Sequence, residues 1–197
     1  MIIGYIHISQ TSEWKDSFAV LWKQIIASGL YNEVTEIRCT VLNESGTFIE
    51  DDIFKVPKLK IIHVGYSYEY ERPTLLHMHH SASNDKEDTH YFYFYLKGIN
   101  WSHDSFLLDF TTACLHYNVR KWSVAIAWLE TQDLYGCNYY DDYSLHNSSN
   151  LFWTKSCYLK KLPKTIGQNY NDVQKWIYDS STIYFNAFHH GLQNMLH

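Results

Sequence analysis

The sequence is poor in chain breakers, with three prolines and eight glycines among 197 residues. It has no Pro/Gly/Ser-rich stretch, low-complexity tract or internal repeat, which excludes flexible interdomain linkers and solenoid arrays. Its length suits one domain, 1–197, on a prior of roughly 100–200 residues each. The four cysteines (Cys39, Cys114, Cys137, Cys157) show no CxxC spacing, so reduced thiols are expected rather than a disulfide framework. Basic runs never exceed two residues, which leaves no polybasic membrane patch or nuclear signal. With a net charge of -5 and a pI near 6.1, no nucleic-acid partner is expected. No apolar run approaches the ~20 residues of a membrane span. The opening MIIGYIHISQ lacks the basic start of a signal peptide, so a cytoplasmic protein is expected. GxGxxG and GxxxxGK[ST] are both missing, and Lys97-Gly98 stands in the reverse order, which argues against NAD enzymes and P-loop NTPases.

What the chain does have is aromatic side chains: 17% of residues, 17 of them Tyr and 7 Trp. Rings in that number fill a core and also line clefts for flat or ring-shaped ligands such as bases and sugars. With 46% apolar and 19% charged residues, the composition is that of a globular domain.

Patterning predicts alternating strands and helices. MIIGYIHIS reads as a first strand. A helix follows over 11–29, with Trp14, Phe18, Leu21, Trp22, Ile25 and Ile26 on one face, Ser12 as its N-cap, and Ser28-Gly29 as its stop. Strands are expected over 34–43 and 58–67, with a turn at Glu44-Ser45-Gly46 between them. Next come a helix at 72–83 with Pro73 in its first turn, and the aromatic strand HYFYFYLKG. Residues 103–132 read as two helices broken near Tyr117-Asn118. LYGCNYY is a short strand or turn, NLFWTKSCYLKKLP an apolar stretch and capped turn, 171–181 a late helix, and TIYFNAFHHGL a final strand. The alternation predicts an α/β sheet with helices on its faces, and such sheets bind ligands at the carboxyl ends of their strands.

Six blocks in order (YIHIS, SGLYNEVTEIRCTVLN, YEYERPTLLHMHH, YFYFYLKGINW, YGCNYY and HNSSNLFWTKSCYLKKLP) resemble small GT-A-type glycosyltransferases of bacteria and large DNA viruses. They are also similar to the N-terminal glycosyltransferase domain of a chlorella-virus multidomain protein. The resemblance covers roughly residues 1 to 165 and rests on order and spacing rather than on one motif. In bacterial relatives the aromatic strand ends in a His-Thr-Lys-Gly-like sequence, and the later block reads close to His-Phe-Ser-Gly-Asn-Phe-Trp-Trp. Lys97, Gly98, His146, Ser148, Asn150, Phe152 and Trp153 fit those patterns; Tyr95, Leu96, Ser149 and Leu151 depart from them.

The resemblance implies a single-domain, Rossmann-like mixed sheet in the cytoplasm of a bacterium or of a virus-infected host cell. It also implies transfer of a sugar from a nucleotide diphosphate-sugar donor to a hydroxyl of a saccharide or glycan acceptor. The alternative is a catalytically inactive nucleotide-sugar or carbohydrate-binding module of the same fold. His7, Ser9, Glu69 and Thr74 are expected near the nucleotide, Lys97 and Gly98 near the diphosphate, and His146, Asn150 and Trp153 around the sugars.

Many GT-A enzymes hold Mn²⁺ or Mg²⁺ against the diphosphate through an Asp-x-Asp at a strand end, because a hard cation takes oxygen ligands. Here that strand end offers Tyr-Leu-Lys. Lys97 then reads either as a point charge for a phosphate or as a solvated strand terminus. A base that activates the acceptor hydroxyl is sought among Asp133, Asp142 and Glu44. Glu71 reads either as a solvated acid favoured by the helix dipole or, like Glu69, as a group for ribose or sugar hydroxyls, the solvated reading being preferred; His77, His79 and His80 read as surface histidines rather than a zinc site. Donor sugar, nucleotide, anomeric outcome and oligomeric state stay open at this level.

Overall fold

The computed structural model describes residues 1–10, 13–96, 105–137, 139–140, 146–147, 151–178 and 182–188, with backbone alone at 105–108, 139–140 and 146–147. A seven-stranded sheet organises them. Its strands are β1 (Ile2–Ser9), β2 (Glu36–Asn43), β3 (Leu59–Tyr66), β4 (His90–Tyr95), β5 (Leu134–Gly136), β8 (Leu151–Lys155) and β9 (Tyr184–Asn186). β6 (Tyr139–Tyr140) and β7 (His146–Asn147) form a separate two-stranded ribbon. The sheet order is β3-β2-β1-β4-β8-β5-β9. β8 runs antiparallel to both β4 and β5, while the other pairings are parallel.

Helices cover both faces, as parallel strands require. The apolar side of α1 (Trp14–Ala27) packs with α5 (Trp122–Trp128) and its flanking residues on one face. α3 (Arg72–Asn84), α6 (Ser156–Leu159) and α7 (Tyr170–Trp176) pack on the other. α4 (Ser105–Leu115) joins α5 through a π-helical stretch, His116–Arg120, at the predicted break. The residue at the N-cap position of α1 is Glu13, without a side-chain cap bond; Ser12 lies outside the described residues. Gly29 does more than stop that helix. At φ 78 it adopts the left-handed conformation that starts α2 (Leu30–Glu33).

β4 shows how the sequence divides the two cores. Phe92, Phe94 and Leu96 face the α1 layer, and Tyr91, Tyr93 and Tyr95 face the α3 layer. Alternation along a strand sends successive side chains to opposite faces, so the YFYFY run is two stripes, one dry and one tipped with hydroxyls. Phe92 stacks on Phe94 with centroids 4.4 Å apart and reaches Trp153 at 5.1 Å. Tyr91 donates to Asp85 Oδ2 at 2.7 Å.

Two histidines expected at the surface are held by the interior. His79 is buried and bonds the Leu162 carbonyl at 3.2 Å, while half-buried His77 places Nδ1 2.9 Å from the Tyr5 hydroxyl. Only His80 of the three is exposed. α3 runs across the sheet with α6 beside it, so its histidine-bearing turn has little free surface. Cys39, Cys114 and Cys137 are buried, and Cys157 is exposed. No helix among the described residues is long and apolar enough to cross a membrane.

Candidate functional site

From β1 the chain builds outward to β2 and β3 on one side, then crosses back to place β4 on β1's other side. β1 and β4 therefore flank the point where strand order reverses, where carboxyl ends diverge and open α/β sheets form a ligand crevice. At these ends the α3-facing side carries a row of polar side chains. Register aligns Tyr95 of β4 with His7 of β1, His7 with Thr40 of β2, and Thr40 with His63 of β3.

His7 is buried, with Nδ1 2.7 Å from Thr74 Oγ1 in the first turn of α3 and its ring edge-on to Tyr95 at 4.8 Å. Burial, and secondarily the nearby His63, push its pKa down to about 3, so the imidazole is neutral at physiological pH. The Thr40 hydroxyl beside it is buried without a hydrogen-bond partner among the described residues. His63 Nε2 lies 2.9 Å from Glu69 Oε2, and Glu69 Oε1 accepts the Tyr66 backbone N–H at 2.6 Å. Gly65 makes that clasp fit, since a Cβ there would lie 2.1 Å from Glu69 Oε1. Ser9 is half-buried at the end of β1.

The fold thus gathers His7, Ser9, Glu69 and Thr74 along one edge. Lys97 and Gly98 follow Leu96 in the sequence but lie outside the described residues, as do Asp142 and Asn150. His146 lies in β7, paired with Tyr140.

Two expected assignments do not reach this edge as functional side chains. Trp153 is 0% exposed in the middle of β8, and its indole N–H donates to the Asn118 carbonyl at 2.8 Å. It is a core residue, because β8 is covered on both faces and leaves no ring for a sugar. Asp133 precedes β5, and β5 runs parallel to β4, so this carboxylate sits at the amino edge of the sheet, opposite the crevice. There Oδ2 accepts the Ile183 N–H at 3.0 Å and the backbone carbonyl accepts the Thr154 hydroxyl at 2.9 Å, a structural tie for β9 and β8. Glu44, by contrast, follows the carboxyl end of β2 at the crevice edge and is exposed in the turn there.

No group of three or more His, Cys, Asp or Glu among the described residues converges on a point where a metal ion would be held. At the end of β4 stand buried Tyr95 and Leu96, which offer no carboxylate.

Glu71, read from sequence as a solvated acid, is buried. Burial first, and then the Glu71 charge, raise the phenol pKa values of Tyr93, Tyr95 and Tyr170, which stay protonated hydrogen-bond donors at neutral pH. This tyrosine group around Glu71 leaves no local sequence signal, because Tyr170 comes from a segment 99 positions downstream.

Comparison with protein-family models finds no match for this chain, and comparison with curated proteins finds none.

Proposed function

We propose that this chain is a glycosyltransferase of GT-A-like architecture that moves a sugar from a nucleotide diphosphate-sugar to a hydroxyl of a saccharide or glycan acceptor. The observation that carries the reading is the strand-order reversal at β1 and β4, with His7 and Thr74 joined directly beneath it. A 13-residue helix, α3, begins at this edge and carries Thr74 in its first turn. Lys97, next in the sequence after Leu96, supplies the charge of the diphosphate site in this reading. The transfer requires stabilising the departing diphosphate while a base takes the acceptor proton.

A second reading, a catalytically silent nucleotide-sugar or carbohydrate-binding module, draws on one observation: β4 ends in buried Tyr95 and Leu96 where carboxylates would hold a metal. Thermal shift against UDP, GDP and their sugar conjugates, followed by donor hydrolysis and transfer assays with and without Mn²⁺, separates the two. A bound donor raises the melting temperature by mass action. Binding with turnover supports the transferase, and binding without turnover supports the silent module. No nucleotide binding refutes both.

A further inference from the structure

Glu71 stands at the N-cap position of α3 with only 4% of its surface exposed, and it makes no side-chain capping bond. It lines a cleft between α3, α7 and the β4–β8 pair, shared with Tyr93, Phe152 and Gln174. The cleft is partly open, and its space outside the atoms, about 350 Å³, includes open solvent. The cleft itself has room for little more than one water-sized group, so what enters it is a hydroxyl and not a whole ring.

Two observations point to a ligand. Tyr93 is 3% exposed, and its hydroxyl has no hydrogen-bond partner among the described residues. A buried hydroxyl left unpaired costs free energy that an incoming oxygen would recover. Next to the residues that line the cleft, Tyr70 immediately precedes Glu71 and the Tyr170 hydroxyl accepts from Gln174 Nε2 at 2.9 Å; the two tyrosines are 37% and 40% exposed, with their rings crossed at 5.2 Å. Tyr70 holds φ 52 and ψ -147, a strained conformation for a residue with a side chain and one that concentrates at ligand clamps. Arg72 ties Tyr70 to the segment that leads into α7. Its guanidinium lies over the Tyr70 ring at 5.3 Å and donates to the carbonyls of Gly167, at 2.7 Å, and Asn169, at 3.0 Å.

We infer that this cleft is a saccharide subsite for the acceptor: one uncharged pyranose ring rests its C–H face on Tyr70 and Tyr170 and inserts a hydroxyl between Glu71 and Tyr93. Rigid tyrosines present flat apolar faces with polar tips, and a carboxylate accepts hydroxyl hydrogens. The same carboxylate repels phosphates, so the donor diphosphate belongs on the other side of the polar row. The word acceptor rests on the glycosyltransferase reading; the subsite does not.

The test uses methyl hexopyranosides and unmodified disaccharides as probes, with no nucleotide present, and binding read by saturation-transfer NMR and intrinsic fluorescence. Wild type is expected to bind at least one probe. Tyr170→Ala and Glu71→Gln should each weaken that binding at least fivefold. Tyr93→Phe should weaken it threefold or more while the melting temperature stays level or rises. Absence of glycoside binding overturns the inference, as does unchanged affinity in Tyr93→Phe and Tyr170→Ala. Preferential binding of tetramethylammonium, which would make the cleft a cation cage, also overturns it. UDP and GDP binding is measured in parallel. Nucleotide without glycoside binding defeats this inference alone, whereas glycoside without nucleotide binding defeats the transferase reading and leaves the subsite standing.

Discussion

Gly4 and Phe92 face each other across β1 and β4 so closely that a Cβ on Gly4 would lie 2.1 Å from Phe92 Cζ. The glycine is there for the ring. Gly4→Ala should cost about 1–3 kcal/mol through overpacking. Urea unfolding of Gly4→Ala, Phe92→Leu and the double variant checks this. The double variant should be less destabilised than the sum of the singles, because the leucine vacates the space that the alanine needs.

His7 gives stability a pH dependence of known sign. Its folded pKa of about 3 is below the unfolded value near 6.5, so the unfolded chain binds the proton more tightly. The contribution is fully present above the unfolded pKa and is lost as pH falls from there toward about 3. The slope in that window approaches ~1.4 kcal/mol per pH unit. Unfolding midpoints at pH 7.5 and pH 5 should differ more for wild type than for His7→Asn. Equal pH dependence in the two proteins would contradict the assignment.

Trp153→Phe should lower stability by about 1–3 kcal/mol, from the lost indole bond to the Asn118 carbonyl and the space left behind. Affinity for saccharides should not change. A selective loss of sugar binding without a stability loss would return the ring to a functional role.

Lys97→Ala should weaken UDP or GDP binding roughly tenfold, about 1.4 kcal/mol, if its ammonium meets the diphosphate. The readout is the nucleotide-induced melting shift of the variant against wild type. An unchanged shift would mark Lys97 as a solvated strand end.

Much of the scaffold was legible in the sequence because its signals are local. Apolar spacing located α1, Pro73 marked the first turn of α3, and the bounds of β1 and β3 fall within a residue or so of the expected runs. The carboxyl edge was legible where it follows from strand ends: His7, Ser9, Glu69 and Thr74 were expected together because carboxyl ends of parallel strands are where open sheets place ligands. The burial of Glu71 was not legible, because it depends on α7, which is distant in sequence. Asp133 misled for a related reason, since no local pattern says at which edge of a sheet a strand begins. Trp153 misled because a polar block precedes it, whereas both faces of β8 are covered and its buried stretch shows no polar alternation. His79 was hidden in the same way, its partner carbonyl lying 83 positions away.

The two stripes of β4 also fix that strand's reading frame. Inserting or deleting one residue between Tyr91 and Tyr95 would turn phenolic oxygens into the dry layer beneath α1 and phenylalanines toward Asp85 and Glu71. Exchanges of ring for ring at one position leave both layers chemically intact. Variants of this chain should therefore tolerate changes in β4's side chains far better than changes in its length.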